Sequence, residues 1–310
     1  MIKLVTYMRE NEQFTDELSE VADMLYGIFG KDFEVILCCE VLLENKVLKP
    51  YPVRSYLCKR TKYQRLLSLL KEDAGEYFLS IDNDIKANLN ELKEFVSIAA
   101  RGELDIAWGR IQARQSKGLF GNLVALDKLL SHNILRPLLW KMGIGISIPG
   151  QCFWIKREVF VNSLPAIDTF LDDLALGLTV NRRQAALKMQ IFPLTLGYET
   201  PNETFFGLWG QRKRWAKGYV SMLLGVNKAE DRIKVIFHGI AYHLMWIFSW
   251  IICIFLLHIH WIGALLYMGV LSFILGRKKF LYALLYQLIF PIFHLCWIMT
   301  VLKIIAGKNK

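Results

Sequence analysis

Cysteine is scarce in this sequence, and its spacing fits neither a zinc site nor the disulfide framework of a secreted domain. The six cysteines are Cys38, Cys39, Cys58, Cys152, Cys253 and Cys296. Internal repeats and low-complexity linkers are also absent from the sequence. We therefore expect reduced thiols in a cytosolic domain.

Acidic residues are fewer than basic ones, with 28 Asp and Glu against 38 Lys and Arg, and the formal net charge is +10. No zinc-finger spacing or RNA-binding aromatic signature accompanies this excess, so we expect no nucleic acid partner. An anionic lipid surface and a nucleotide diphosphate are the expected partners. Much of the excess lies near the apolar part of the chain, as expected of cytosolic flanks: Arg212, Lys213, Arg214, Lys217, Lys228, Arg232, Lys234, Arg277, Lys278 and Lys279.

Charged residues are missing from long runs in the last third of the chain. Residues 235–257 contain no Asp, Glu, Lys or Arg, over a length that meets the roughly 20 residues of a bilayer crossing. Residues 258–276 form a shorter apolar run, and residues 280–302 form a longer one in which Pro291 predicts a kink. These runs predict about three transmembrane helices in a multi-pass cell-membrane protein.

The N-terminus lacks the apolar core of a signal peptide, so we expect the catalytic part to stay in the cytosol. The predicted organisation is a catalytic domain over 1–204, an amphipathic interfacial segment over 205–234 and transmembrane helices over 235–310. Lys308 and Lys310 would then end outside, against the charge rule. A re-entrant last segment therefore remains an alternative.

The first part of the chain reads as an α/β domain. Strand patterns at 2–7 and 33–39 flank a helical pattern at 12–29, which is the opening of a doubly wound sheet. The later patterns predict helices over 62–71, 91–100 and 169–182, and strands over 77–81, 106–111 and 152–155. The segment 118–150 stays open, with a helix over 123–139 interrupted at Arg136-Pro137 as one interpretation.

Three groups of residues can carry chemistry, and each has a plain structural alternative. Asp82-Asn83-Asp84 follows a predicted strand and can bind a divalent cation, yet a solvated acidic turn would look the same. Asp172 and Asp173 can supply a base or merely cap a helix. The third group is Gln211, Arg214 and Trp215. These residues can bind a sugar phosphate or form a membrane-interface belt.

The order of these groups resembles the membrane-integrated family-2 glycosyltransferases. That family includes the cellulose, chitin and hyaluronan synthases and the ceramide glucosyltransferases, and the resemblance covers about residues 1–225. Its most specific element is Gln-x-x-Arg-Trp, which here spans Gln211–Trp215. The resemblance implies a GT-A α/β domain and an inverting hexosyltransferase activity.

The resemblance also implies roles for individual residues. Asp82 and Asp84 would contact the donor and hold Mg²⁺ or Mn²⁺, and Asp173 would be the general base with Asp172 as its neighbour. Arg214 would help to hold the diphosphate. The residues expected on the acceptor side are Gln151, Cys152, Gln211 and Trp215.

Two stretches depart from the family pattern. After the first strand, the family's Pro-x-Tyr-Asn-Glu corresponds to Thr6–Glu12, in which Tyr7 and Glu10 are the expected donor contacts. After the second strand, Asp-Asp-Gly corresponds to Cys39-Glu40, so Glu40 is the expected nucleotide contact. Uridine is the base implied by the family.

Three hypotheses on function follow. The first is a synthase that extends a polysaccharide from a nucleotide-diphosphate sugar, which we favour by a small margin. The second is transfer to a membrane lipid acceptor, because Gln-x-x-Arg-Trp occurs in both groups. The third is an inactive nucleotide-sugar-binding scaffold of an export complex. A channel built from three spans would need a homo-oligomer or an export partner to complete it.

Overall fold

The chain forms two compact units in a computed structural model that describes residues 1–8, 12–40, 50–58, 61–164, 169, 171–276 and 279–308. The sheet unit consists of Met1–Gln112 and Ile146–Thr200, and the helical unit consists of Ala113–Gly145 and Pro201–Lys310. The middle of the chain therefore contributes one segment to the helical unit. The boundaries at 204 and 234 drawn from sequence stay predictions.

One eight-stranded sheet, in the order β3-β2-β1-β4-β7-β6-β8-β5, forms the centre of the sheet unit. Its first half is parallel, with β1 between β2 and β4 and with β3 beside β2. The strands are β1 Ile2–Tyr7, β2 Phe33–Cys39, β3 Val53–Leu57, β4 Tyr77–Ile81, β5 Ile85–Ala87, β6 Ile106–Ala113, β7 Cys152–Lys156 and β8 Met189–Glu199.

The second half of the sheet is antiparallel where β7 pairs with β4 and β6, and where β5 pairs with β8. The fold is therefore a mixed α/β sheet, and only its first half follows the doubly wound order that the sequence predicted. Leu4, Val35, Leu79 and Trp154 on neighbouring strands are fully buried. Central strands covered on both faces explain the continuous apolar runs of the sequence.

The helices of the described residues agree with most of the sequence patterns. They are α1 Asp16–Phe29, α2 Lys62–Glu72, α3 Leu89–Arg101, α4 Leu119–Leu130, α5 Arg136–Lys141, α6 Arg157–Phe160, α7 Asp172–Arg183, α8 Phe205–Gly225, α9 Ala229–Gly239, α10 Met245–Ile259, α11 Trp261–Gly276, α12 Phe280–Ile289 and α13 Pro291–Lys308. Helix α1 begins later than predicted because Thr15 caps it, its side chain accepting from the N–H of Leu18.

The segment whose structure the sequence left open is helical. Helices α4 and α5 are joined by a π-helical turn over Ser131–Leu135. Pro137 lies at the start of α5 and has no N–H to donate to the preceding turn, which accounts for the local widening of the helix.

The last part of the chain is a series of apolar helices in the helical unit. A second π-helical turn, Ile240–Leu244, joins α9 to α10 into one long helix. Within the described residues, Ala229–Ile259 and Phe280–Gly307 are long and apolar enough to cross a membrane by length and composition. Trp261–Gly276 is apolar but shorter.

Candidate functional site

The turn Asp82–Asp84 directly follows β4, the last strand of the parallel half of the sheet. The N–H of Asp82 donates to the carbonyl of Gln151 at 2.9 Å, and the N–H of Ile85 donates to the carbonyl of Asp82 at 3.2 Å. Two ladders thus fix the turn, since Ile81 pairs with Cys152 on one side and Ile85 pairs with Glu199 on the other. The carboxyl ends of parallel strands are where open α/β sheets bind ligands.

Lys62 brings the two acidic groups together. Its Nζ lies 2.6 Å from Oδ1 of Asp82 and 3.1 Å from Oδ2 of Asp172, and it donates to the carbonyl of Gly150 at 2.6 Å. Lys62 is the first residue of α2, where the helix dipole disfavours a cation. The ion pairs with the two carboxylates offset this unfavourable interaction. Lys62 therefore stabilises the cluster of acids rather than the helix.

Tyr7 completes this cluster from the end of β1. Nζ of Lys62 lies 5.1 Å from the centroid of the Tyr7 ring, a cation–π contact. The phenol oxygen accepts from the Ser80 hydroxyl at 3.3 Å. Burial raises the pKa of Tyr7, so the side chain is a neutral phenol.

The electrostatics of the cluster leave one group poised to titrate. Burial raises the pKa of Asp82 to about 7, although the Lys62 ammonium beside it acts in the opposite direction and the Asp172 carboxylate reinforces the rise. Burial alone would lower the pKa of Lys62, but the carboxylates of Asp172 and Asp82 outweigh it and hold that pKa above its ordinary value. Lys62 therefore stays charged, while Asp82 changes charge near neutral pH.

Asp172 and Asp173 lie in the first turn of α7, where the helix dipole favours carboxylates. Oδ1 of Asp173 accepts from the N–H of Leu174 at 2.9 Å. Gly150 allows the close approach of the preceding loop, because a Cβ there would lie 2.9 Å from Oδ2 of Asp172 and 3.3 Å from Cβ of Asp173. A larger residue at position 150 would displace the two acids.

Gln151 and Cys152, which the sequence placed on the acceptor side, lie at the start of β7. Nε2 of Gln151 donates to Oε2 of Glu199 at 3.0 Å. Glu199 is the last residue of β8, so the Gln151 amide is hydrogen-bonded to the end of that strand. The Cys152 side chain is buried, and burial raises the pKa of its thiol. Cys152 is accordingly an unreactive thiol. All six cysteines are free.

The expected nucleotide contacts lie at the ends of β1 and β2. Glu40 forms an ion pair with Arg65, whose guanidinium also donates to the carbonyls of Met8 at 3.3 Å and Cys38 at 3.4 Å. The Glu40 side chain remains 44 % exposed and can accept a further partner. Glu10 lies outside the described residues.

The Gln-x-x-Arg-Trp residues lie on α8 of the helical unit. Arg214 and Trp215 are exposed, and Gln211 is half-buried. The buried arginine of this segment is Arg212, which pairs with Asp127 at 2.9 Å and whose guanidinium lies 4.5 Å from the Trp215 ring centroid. The sequence motif did not single out Arg212.

Sequence reasoning also missed Lys62 and Glu199. A signal for Lys62 was present, because a lysine directly after the capping residue Thr61 is unfavourable in a helix without a nearby acid. Glu199 and Arg212 carry no comparable local signal. Their partners, Gln151 and Asp127, are distant in sequence and meet them only in the fold.

The turn also fits the donor chemistry of a divalent cation. Asp82 and Asp84 supply the hard carboxylate oxygens that Mg²⁺ and Mn²⁺ prefer. No group of three or more His, Cys, Asp or Glu converges as a metal site within the described part of the chain. Two protein ligands suit a cation that takes its other oxygens from phosphate and water.

No protein-family model and no curated protein matches the chain. Among solved structures, it is similar to the mannosyltransferase PcManGT from Pyrobaculum calidifontis, described in complex with GDP-Man and Mn2+. The two share 15 % identity with a TM-score of 0.56, over 97 % of this chain and 86 % of that one. This likeness shows a mixed α/β, GT-A-like fold. The α/β class is the one that the sequence predicted and GT-A is what the resemblance implied, whereas the antiparallel half of the sheet was not predicted.

Two further solved structures align less well. S. aureus TarS 1-349 shares 12 % identity at a TM-score of 0.49, over 99 % of this chain and 91 % of that one. Glucosyl-3-phosphoglycerate synthase from Mycobacterium tuberculosis shares 16 % identity at a TM-score of 0.47, over 74 % of this chain and 81 % of that one.

Proposed function

We propose that this protein is a membrane-bound inverting glycosyltransferase that transfers a sugar from a nucleotide-diphosphate sugar. The observation that carries the proposal is the convergence of Asp82 and Asp172 on Lys62, beside Gly150 and Tyr7, at the end of β4. Such a cluster can balance the charges of a nucleotide diphosphate and a cation in a half-buried site. PcManGT, which shares the fold, was solved with GDP-Man and Mn2+.

Asp82 and Asp84 are the residues that would hold Mg²⁺ or Mn²⁺, which neutralises the charge of a departing diphosphate when bound. Lys62 pairs with Asp82 and supplies a positive charge in addition to that of the cation. Tyr7, Glu40 and Glu10 remain the predicted donor contacts. Uridine remains the predicted base.

Asp173 is the proposed general base, because its neighbour Asp172 is committed to Lys62. Asp173 accepts the proton of an acceptor hydroxyl, whose oxygen forms a bond to the anomeric carbon. The bond from that carbon to the diphosphate oxygen breaks, and its electron pair leaves with the nucleotide diphosphate. Attack opposite the leaving group inverts the configuration at the anomeric carbon.

The acceptor is proposed to be a growing polysaccharide, with a membrane lipid as the second candidate. The apolar helices support an acceptor at the membrane, since α10 and α11 carry many exposed large apolar side chains, including Ile254, Phe255 and Leu266. We propose the cell membrane as the location, with about three spans and a cytosolic catalytic domain. Gln211, Arg214 and Trp215 remain predicted acceptor and diphosphate contacts.

The test is a screen of nucleotide sugars with the full chain in lipid nanodiscs, with Mg²⁺ or Mn²⁺, measuring released nucleotide diphosphate and product size. Asp173→Asn should lower kcat by about 10²- to 10⁴-fold and leave donor affinity unchanged. Asp16→Asn, in the first turn of α1, is the matched control and should retain full activity. Long products support a synthase, and single transfers to lipid support the second candidate.

Two results would count against the proposal. Substantial residual activity in Asp173→Asn would remove Asp173 as the base. Absence of turnover with every donor, together with tight donor binding, would favour the inactive scaffold.

A further inference from the structure

The helical segment Leu119–Met142, which interrupts the sheet unit in sequence, exposes a row of large apolar side chains. Leu129, Ile134, Leu138 and Met142 are 38 %, 50 %, 49 % and 59 % exposed. Contiguous exposed apolar surface of this kind marks an interaction site in a folded protein.

The π-helical turn keeps these residues on one face. Ile134, Leu138 and Met142 are four residues apart, as expected along one side of an α-helix. Leu129 and Ile134 are five apart, and the wider turn Ser131–Leu135 between them absorbs the additional residue. The apolar row is therefore continuous through the irregular part of the helix.

The neighbouring side of α4 packs against the C-terminal apolar helices. Leu123, Leu126 and Leu130 belong to one buried cluster with Leu275 and Phe290. The packing is close, because a Cβ on Gly276 would lie 3.3 Å from a methyl group of Leu126.

Polar bonds tie α4 to the same helices. The Tyr286 hydroxyl donates to Asp127 at 2.9 Å, and Nζ of Lys279 donates to Asn122 at 2.9 Å. The segment thus belongs to the body of the apolar helices, and its exposed row continues their surface.

The charges of the segment have one dominant sign. Residues 113–145, the stretch that the middle of the chain contributes to the helical unit, contain the basic side chains Arg114, Lys117, Lys128, Arg136 and Lys141 and a single acid, Asp127. Lys117 and Lys141 are exposed, whereas Nζ of Lys128 and Nε and Nη1 of Arg136 are buried. Asp127 is engaged by Arg212 and Tyr286. An apolar row accompanied by the exposed ammonium groups of Lys117 and Lys141 is complementary to an anionic lipid surface.

We infer that Leu119–Met142 is a membrane-surface helix, whose row Leu129, Ile134, Leu138 and Met142 lies among the lipids of an anionic leaflet. This role is additional to the interfacial role predicted for residues 205–234. It rests on the proposed insertion of the C-terminal helices in a membrane.

The test places the photoreactive residue p-benzoylphenylalanine at position 134, 138 or 142 of the full chain, in nanodiscs of phosphatidylglycerol and phosphatidylethanolamine. Two positions with similar exposure serve as references: Phe255 in α10 and Leu57 in β3, at 61 % and 51 %. Lipid adducts are expected at 134, 138, 142 and 255, and none is expected at 57.

The outcomes separate the two proposals. Adducts at 255 without adducts at 134, 138 and 142 would overturn the surface helix and leave the spans in place. Absence of adducts at all four positions would overturn membrane insertion itself. Adducts between two copies of the chain, in place of lipid, would identify the row as a protein interface and also overturn the inference.

A second measurement tests the charge argument. In the chain labelled at 138, Lys117→Gln with Lys141→Gln should reduce the excess of adduct in phosphatidylglycerol-containing over phosphatidylcholine nanodiscs toward a ratio of one. The matched control is Lys31→Gln, an exposed lysine of the sheet unit, which should leave the ratio unchanged. A ratio unaffected by the double substitution would contradict an anionic partner.

Discussion

The two units of this protein treat their ionised side chains differently. In the sheet unit, Lys62, Asp82 and Asp172 meet at a strand end with side chains 16 % to 25 % exposed, where another charged group can still reach them. In the helical unit, the Arg212 side chain is only 4 % exposed and is paired with Asp127 among aromatic rings. The first arrangement suits a ligand, whereas the second joins α8 to α4.

Removal of Lys62 should have the largest effect on activity. In Lys62→Met, two neighbouring carboxylates lose their shared cation, so the pKa of Asp82 should rise further above its present value of about 7. We expect a loss of activity on the order of 10²-fold at pH 7 and a shift of the acidic limb of the pH profile to higher pH.

The measurement is kcat/KM from pH 6 to about 9, and Lys71→Met on the same helix is the control. An unshifted acidic limb would show that Lys62 does not govern the charge of Asp82.

Two arginines of α8 are predicted to have different roles, Arg212 in stability and Arg214 in transfer. Arg212→Met removes the buried partner of the ion pair, leaves the partly exposed Asp127 without its cation and should reduce stability by about 3 kcal/mol. Arg214→Met, at an exposed position, should change stability by less than about 0.5 kcal/mol and should impair transfer instead. Thermal unfolding in nanodiscs, together with transfer assays, compares the two variants. If Arg212→Met and Arg214→Met lost equal stability, the two arginines would not differ in their structural role.

Breaking the hydrogen bond between Gln151 and Glu199 tests whether the strand pairs β4–β7 and β5–β8 position the turn Asp82–Asp84. Glu199→Ala should raise the donor KM several-fold with a smaller change in kcat, because the amide of Gln151 loses its acceptor. The exchanged pair, Gln151→Glu with Glu199→Gln, restores a donor and an acceptor and should recover much of the KM. A double variant no better than Glu199→Ala would contradict the positioning role.

The last prediction concerns the pH dependence of stability. Asp82 has a pKa of about 7 in the folded chain and close to 3.9 when unfolded, so the folded form binds more protons between these values. Its charge therefore reduces stability as pH rises through this range. Asp82→Asn should raise the Tm more at pH 8 than at pH 5, measured without added metal. An equal change at both pH values would contradict this.

Much of the sheet unit could be predicted from local pattern. The strand bounds 2–7, 33–39 and 77–81 were predicted correctly, because buried apolar runs beside clear turn residues specify them. The antiparallel position of β7 could not be predicted, since strand order depends on long-range pairing. The predicted helix break at Arg136-Pro137 became a π-helical turn because tertiary packing maintained the helix on both sides.

The site was predicted in part. Asp82 and Asp172 do lie together, and the first residue of α2 that joins them was missed. The roles assigned to Asp84, Asp173, Gln211, Arg214 and Trp215 stay predictions. The order of the motifs along the sequence indicated these residues. Arg212 differs from Arg214 through its contact with Asp127, which is distant in sequence and meets it in the fold.

The packing of Leu126 against Gly276 has a consequence for biosynthesis. A ribosome adding about 5 to 20 residues per second exposes α4 roughly 7 to 30 s before its partner helix α11 is complete. Throughout that interval the nascent chain carries an apolar helix between β6 and β7, while β7 must still find β4. Early capture of this helix by the bilayer surface would protect the emerging polypeptide from aggregation, so the membrane would act on the chain before synthesis ends.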